Sequence, residues 1–230
     1  MTRTLRALAL LLDYPSESLK AHFAEVREAL ETEGFLKPEI LAKLQRLMHN
    51  FEVLSVLELQ MNYSELFDNS RALSLHFFEH IHGESRDRGQ AMLDLGEEYV
   101  ERGFYIERDE LPDFIPMFLE FTSCLKIDEA RDWLSQPSHV FAALKERLEE
   151  RDSEYAGIFD ALLTLAQEKP DPEAVRELVE RAKASEKTSI DEVWEEEQVT
   201  FMASQPHKPV NKIVERLKAA GKLIMSSSDT

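Results

Sequence analysis

The stretch Pro38-Glu39-Ile40-Leu41-Ala42-Lys43-Leu44-Gln45-Arg46-Leu47-Met48-His49-Asn50-Phe51 decides the fold of this chain. Ile40 or Leu41, Leu44, Leu47, Met48 and Phe51 recur at three- and four-residue steps, the period of a helix with one apolar face. Pro38 suits its first turn, where a missing amide loses no helical hydrogen bond. The same period continues on both sides. Leu5, Leu8, Ala9 and Leu12 predict a first helix; Pro15 breaks the chain before a second that carries Leu19, Phe23, Val26 and Leu30 and ends at Gly34. These two are expected to pack as a hairpin. Ser55 is expected to cap a further helix bearing Leu59, Tyr63, Leu66 and Phe67.

Downstream, Leu73 to Ile81 is dense in aromatic and aliphatic residues, which predicts burial on most sides until Gly83 interrupts it. A long helix is expected from near Glu84 to Arg102, with Met92, Leu95 and Tyr99 along one face and Gly103 closing it. Asp113 is expected to accept hydrogen bonds from the open amides of a helix that has Pro116 in its first turn and bears Phe118, Phe121 and Leu125. Phe141, Leu144 and Leu148 form another core stripe, as do Tyr155, Ile158 or Phe159, Leu162, and Leu165 or Ala166. Lys169-Pro170-Asp171-Pro172 reads as a turn before a charged helix through Val175, Leu178 and Val179, and Ser189 with Glu192 matches a capping box. The chain is therefore read as all-α. One helical domain is expected over 1–204, with a flexible or partner-dependent tail over 205–230 that holds Pro206, Pro209 and a basic amphipathic piece near Lys212 to Lys218.

Composition narrows the function. With 45 acidic against 27 basic residues and a net charge of -18, the chain is a poor nucleic-acid binder, because affinity for phosphates comes from clustered cations. A cationic partner suits the field better. Cys124 is the single cysteine; it cannot form an internal disulfide or hold a zinc or iron-sulfur site alone, and it is expected to be a small core residue. Arg3 and Arg6 precede the apolar run Leu8 to Leu12, but that run is short, stops at Asp13-Tyr14-Pro15 and has no small-residue cleavage site. No segment approaches the ~20 apolar residues that span a bilayer. The expectation is a soluble, cytoplasmic protein with no stable membrane insertion. No nucleotide-binding loop or nucleophile signature occurs.

Chemistry-bearing residues concentrate in Tyr63-Ser64-Glu65-Leu66-Phe67-Asp68 and in Phe78-Glu79-His80-Ile81-His82-Gly83-Glu84-Ser85-Arg86-Asp87-Arg88-Gly89-Gln90-Ala91-Met92. By residue type, His80 and His82 with Glu79, Glu84 and Asp87 would suit a metal, which gives one reading as a helical metal-dependent hydrolase. Spacing argues against it: helical residues two apart point to different faces, whereas the zinc-hydrolase pair stands four apart. A plainer reading pairs Arg71, Arg86 and Arg88 with Glu79, Glu84 and Asp87 to tie helices together. A binding reading puts the same groups on a groove wall, where Phe77, Phe78 and Ile81 add apolar contact for a peptide.

These two stretches closely resemble the NarJ/NarW assembly chaperones of respiratory nitrate reductase. Glu110-Leu111-Pro112-Asp113 and Trp194-Glu195-Glu196-Glu197-Gln198-Val199 look like two further blocks of that family, in the same order along the chain. The resemblance implies a TorD-like helical fold, a non-enzymatic protein and no resident cofactor. It also implies cytoplasmic binding to the immature catalytic alpha subunit of nitrate reductase, especially its N-terminal segment. The client would be held competent for insertion of the molybdenum cofactor and an iron-sulfur cluster, and then released. Candidate client-binding or groove-supporting residues are Arg71, Glu79, His80, His82, Glu84, Arg86, Asp87, Arg88, Asp113 and Phe114; no catalytic residue and no metal ligand is assigned. Protonation of the neighbouring His80 and His82 near neutral pH is expected to tune peptide affinity. Two departures stand out: Asn69-Ser70 where close members are expected to have Arg-Gly, and Phe114 where the wider family often has histidine.

Overall fold

A computed structural model describes residues 1–69, 71–83, 85–106 and 110–187. The helices in chain order are α1 (Thr2–Leu12), α2 (Glu17–Ala21), α3 (Phe23–Thr32), α4 (Pro38–Val53), α5 (Val56–Phe67), α6 (Phe77–His82) and α7 (Asp87–Glu101). They are followed by α8 (Ile115–Ser123), α9 (Ile127–Ser135), α10 (Ser138–Glu149), α11 (Ala156–Ala166) and α12 (Pro172–Lys187). A 3-10 turn, Arg71–Leu73, precedes α6. Among the described residues there is no strand, only an isolated antiparallel bridge between His76 and Phe114. The chain is all-α. The expected capping box at Ser189, the boundary at 204/205 and the tail lie outside the described residues.

Helix α1 shows how the apolar stripes assemble. Leu5, Leu8, Leu11 and Leu12 are wholly buried, and they pack mainly on α8, more than a hundred residues away, and next on α3. The expected hairpin is thus present as α1 against α3. Glu33, just beyond α3, serves the open N-terminus of α1: its carboxylate accepts from the Met1 amino group (2.8 Å), the Arg3 amide (3.2 Å), and the Thr4 amide (2.7 Å) and hydroxyl (2.6 Å). Burial alone would raise the Glu33 pKa, but these hydrogen bonds outweigh it and hold the group at about 2.

Most local signals were realised. Pro38 opens α4, and Ser55 and Glu58 form a capping box at α5, in which Ser55 N–H donates to the Glu58 carboxylate at 2.8 Å. Gly157 lets α11 press against α4, because a β-carbon there would lie 3.2 Å from the Lys43 backbone. Two expectations need correction, and one helix was missed. The helix expected through Leu19 and Leu30 is broken at His22 (φ -108°, ψ 18°) into α2 and α3. Helix α9, with Ala130, Trp133 and Leu134 buried, was not anticipated; its N-cap Lys126 gives no side-chain cap. Cys124 follows α8 and is exposed, not a core residue.

Candidate functional site

The site begins where the 3-10 turn hands the chain to α6. Phe77 and Phe78 are 5% and 1% exposed, so the first turn of α6 is buried and its open amides need acceptors. Asp113 supplies them: its carbonyl accepts from Phe77 N–H (3.1 Å) and its Oδ2 from Phe78 N–H (3.2 Å). Its Oδ1 lies 3.1 Å from His76 Nδ1, and Arg88 of α7 stands 3.9 Å from Oδ2. This carboxylate is completely buried. Asp113 therefore caps α6 and not α8, whose N-cap is Phe114 without any side-chain cap. The cause is the extended backbone at Phe114 together with the Ile115 N–H bond to the Leu75 carbonyl (2.8 Å), which draws this segment alongside the start of α6.

Charge and burial then fix the neighbours. Arg88 binds Glu79 Oε1 at 3.1 Å, one of the pairings expected. Partial burial opposes ionisation of Glu79, but a hydrogen bond from Ser74 and the charges of Arg88 and His76 prevail and hold its pKa low. His80 places Nε2 2.8 Å from the Ser74 carbonyl, which makes Nε2 the protonated donor nitrogen. Burial lowers its pKa and the Arg147 charge adds to this, against the opposing pull of the Ser74 carbonyl and Glu79. His82 packs edge-on to Phe78, centroids 5.4 Å apart, and burial lowers its pKa as well. The two histidine rings thus serve different neighbours and do not converge. Among the described residues, no group of three or more His, Cys, Asp or Glu could hold a metal ion.

A cleft of about 190 Å³ opens beside this network. Arg71, Glu79, His80 and Arg88 line it from one side, and Leu178 and Arg181 of α12 from the other. Arg181 donates Nη1 to the His80 carbonyl at 3.1 Å, near the end of α6 where carbonyls lack helical partners. Gly83 closes that end with φ 56° and ψ -127°, a conformation that glycine adopts readily. Arg86 and Asp87 are exposed at the start of α7, away from the cleft, and Phe114 rests against His76 with centroids 5.2 Å apart. Glu84 lies outside the described residues. Among the described lining residues, three arginines face the cleft with one glutamate.

Burial of His80 has a consequence for stability. The unfolded chain binds a proton at His80 more readily than the folded one, so stability rises with pH in the histidine range. Wild-type protein is expected to lose stability as pH falls below about 6.5, the ordinary histidine value, and His80→Gln to flatten that slope. Urea midpoints measured from pH 7.5 to 5 check this; equal slopes for the two proteins would refute it.

A family model described as nitrate reductase delta subunit matches residues 17–161. The chain belongs to the nitrate reductase delta subunit family. It is 41% identical over 196 residues to the Escherichia coli K12 protein named nitrate reductase molybdenum cofactor assembly chaperone NarJ, covering 85% of this chain and 83% of that relative. The probable chaperone NarW of the same organism is 37% identical over 86% of this chain and 83% of its own. The probable NarJ of Bacillus subtilis is 31% identical over 70% of this chain and 86% of its own. The resemblance to NarJ and NarW is thereby confirmed.

Within the nitrate reductase delta subunit match lie α6, α7 and Asp113, whereas Arg181 lies beyond its end. The structure brings Arg71, Glu79, His80 and Arg88 into one cleft and sets Asp113 beneath them. His76 and Arg181 were not anticipated. His76 stands just before the buried Phe77-Phe78 pair, a position that calls for a hydrogen-bonding group; Arg181 gives no local signal. The family block Trp194–Val199 is outside the described residues.

Proposed function

We propose that this chain is a non-catalytic, client-specific chaperone that binds the immature catalytic subunit of a nitrate reductase through its N-terminal segment. It keeps that client competent for insertion of molybdenum cofactor and an iron-sulfur cluster, acting in the cytoplasm. The 41% identity to the E. coli assembly chaperone NarJ across 85% of the chain carries this reading. Physically, a cofactor buried late in folding requires a client that closes late. A partner that prefers the open client supplies the differential affinity that delays closure.

In this reading the site residues divide by their commitments. Asp113, His76 and Glu79 hold α6, α7 and the segment before α8 in register and support the cleft, while His82 packs on Phe78 within α6. Arg71, His80 and Arg88 form the wall the client meets, with Arg181 opposite. Calorimetry of the intact chain with the N-terminal peptide of the catalytic subunit is expected to show saturable binding, weakened about ten-fold or more by Arg71→Glu with Arg181→Glu in a protein that keeps its helicity. No heat of binding at any pH or salt concentration would remove the support for this function.

A further inference from the structure

A basic cleft is out of keeping with this chain. Acidic residues outnumber basic ones by 45 to 27, yet Arg71, Arg88 and Arg181 converge on the α6 cleft, where Glu79 is the one carboxylate of the described lining. Arg147, 2% exposed, lies close enough for its charge to depress the His80 pKa, and it adds to the same positive potential from beneath. Against these four guanidinium groups the described network sets two carboxylates, Glu79 and the buried Asp113. The balance around the cleft is positive on a chain of net charge -18.

Each guanidinium carries five N–H donors in a planar fork. Arg88 makes both of its ion pairs, to Glu79 at 3.1 Å and to Asp113 at 3.9 Å, through Nη2, and Arg181 meets the His80 carbonyl through Nη1. Gly83 completes the wall without a side chain, and a β-carbon there would have nothing within 4 Å, so the space beside it is open. At about 190 Å³ the cleft is smaller than the roughly 300–1,000 Å³ that encloses a whole organic ligand, and it suits a single charged group. All three lining cations are arginine and none is lysine. An arginine fork binds two oxygens of one anion, so forks on opposite walls call for an anion with oxygens on more than one side. A tetrahedral phosphate has them; a planar carboxylate has two oxygens, enough for one fork.

We propose that the α6 cleft binds a small tetrahedral oxyanion of the phosphate class, as the free ion or as the terminal phosphate of a small molecule, held by Arg71 and Arg88 on one wall and by Arg181 on the other. Bound there, the anion bridges α12 to the α6 side and adds to the contacts that keep α12 in place. It also occupies the wall assigned above to the client, so anion and client exclude one another. That exclusion rests on the chaperone reading; the oxyanion site does not.

The test titrates isotope-labelled intact chain with inorganic phosphate and with glycerol phosphate, using acetate and chloride at matched ionic strength as controls. Saturable chemical-shift changes are expected around Arg71, His80, Arg88 and Arg181 for phosphate and for neither control. Binding of glycerol phosphate as well assigns the site to a phosphate group on a small molecule; binding of inorganic phosphate alone assigns it to the free ion. R71Q and R181Q should each weaken phosphate about ten-fold or more, as expected for a lost charged hydrogen bond, and R181K less, with unchanged helicity in all three. Hydrogen exchange in α12 should slow with phosphate in wild type and not in R181Q. No saturable shift, shifts centred elsewhere, an equal response to chloride, acetate bound as tightly, or unchanged affinity in R71Q and R181Q would overturn the proposal. The catalytic subunit's N-terminal peptide is then titrated with and without saturating phosphate, and weaker binding in phosphate is expected. Equal binding would overturn the exclusion and leave both the oxyanion site and the chaperone reading standing. Absence of client binding even without phosphate, with phosphate still mapped here, would sink the chaperone reading and keep the oxyanion site.

Discussion

Asp113→Ala is expected to lower the free energy of unfolding by about 3 kcal/mol, the range for a buried charged acceptor removed from its donors. The Phe78 amide would lose its acceptor in a dry environment, the partly exposed His76 would lose its partner, and α6 would lose its cap. Arg88 keeps Glu79 at 3.1 Å, which limits the damage on that side. Asp113→Asn preserves the shape but turns one acceptor into a donor, and about 2 kcal/mol should be lost. Urea denaturation with an unchanged m-value measures both. Hydrogen exchange at Phe78 should accelerate more than exchange in α11, which Asp113 does not touch. A loss under about 1 kcal/mol for the alanine variant would show that α6 is held by Phe77 and Phe78 packing alone.

Glu33→Gln should destabilise by about 2 kcal/mol, discounted for partial solvent exposure from the full pKa shift. The folded pKa of about 2 lies below the ordinary 4.5. The carboxylate thus contributes its full stabilisation above about 4.5 and loses it as pH falls toward 2. Wild type and Glu33→Gln should accordingly differ most at neutral pH and converge in acid. A difference that stayed constant from pH 7 to 3 would assign the effect to packing and not to the ionised carboxylate.

The sequence revealed structure wherever the determinant was local. Pro38, Ser55 with Glu58 and Gly83 announce their helix ends within a few residues, and the apolar stripes of α4, α10 and α11 declare their own period. Asp113 was legible as a cap but not as the cap of α6, because its partners lie 35 and more residues upstream. Arg181 was illegible for the same reason, meeting His80 across 101 positions of chain. The break at His22 carries no glycine or proline to mark it. The net charge of -18 is an average over the chain and says nothing of which face each charge occupies.

Helix α12 contributes the far wall of the α6 cleft through a small set of contacts. Leu178 and Val179 are its buried apolar residues, Arg181 grips the His80 carbonyl, and Lys183 pairs with Glu150 at 2.6 Å. Much of the rest of its surface is charged and exposed. Such a helix detaches at a small fraction of the free energy that unfolds the whole bundle. The aperture on that side is therefore an equilibrium quantity, with Leu178, Val179, Arg181 and Lys183 among the contacts that set it, and a guest too wide for the resting gap can be admitted without disturbing the bundle beneath.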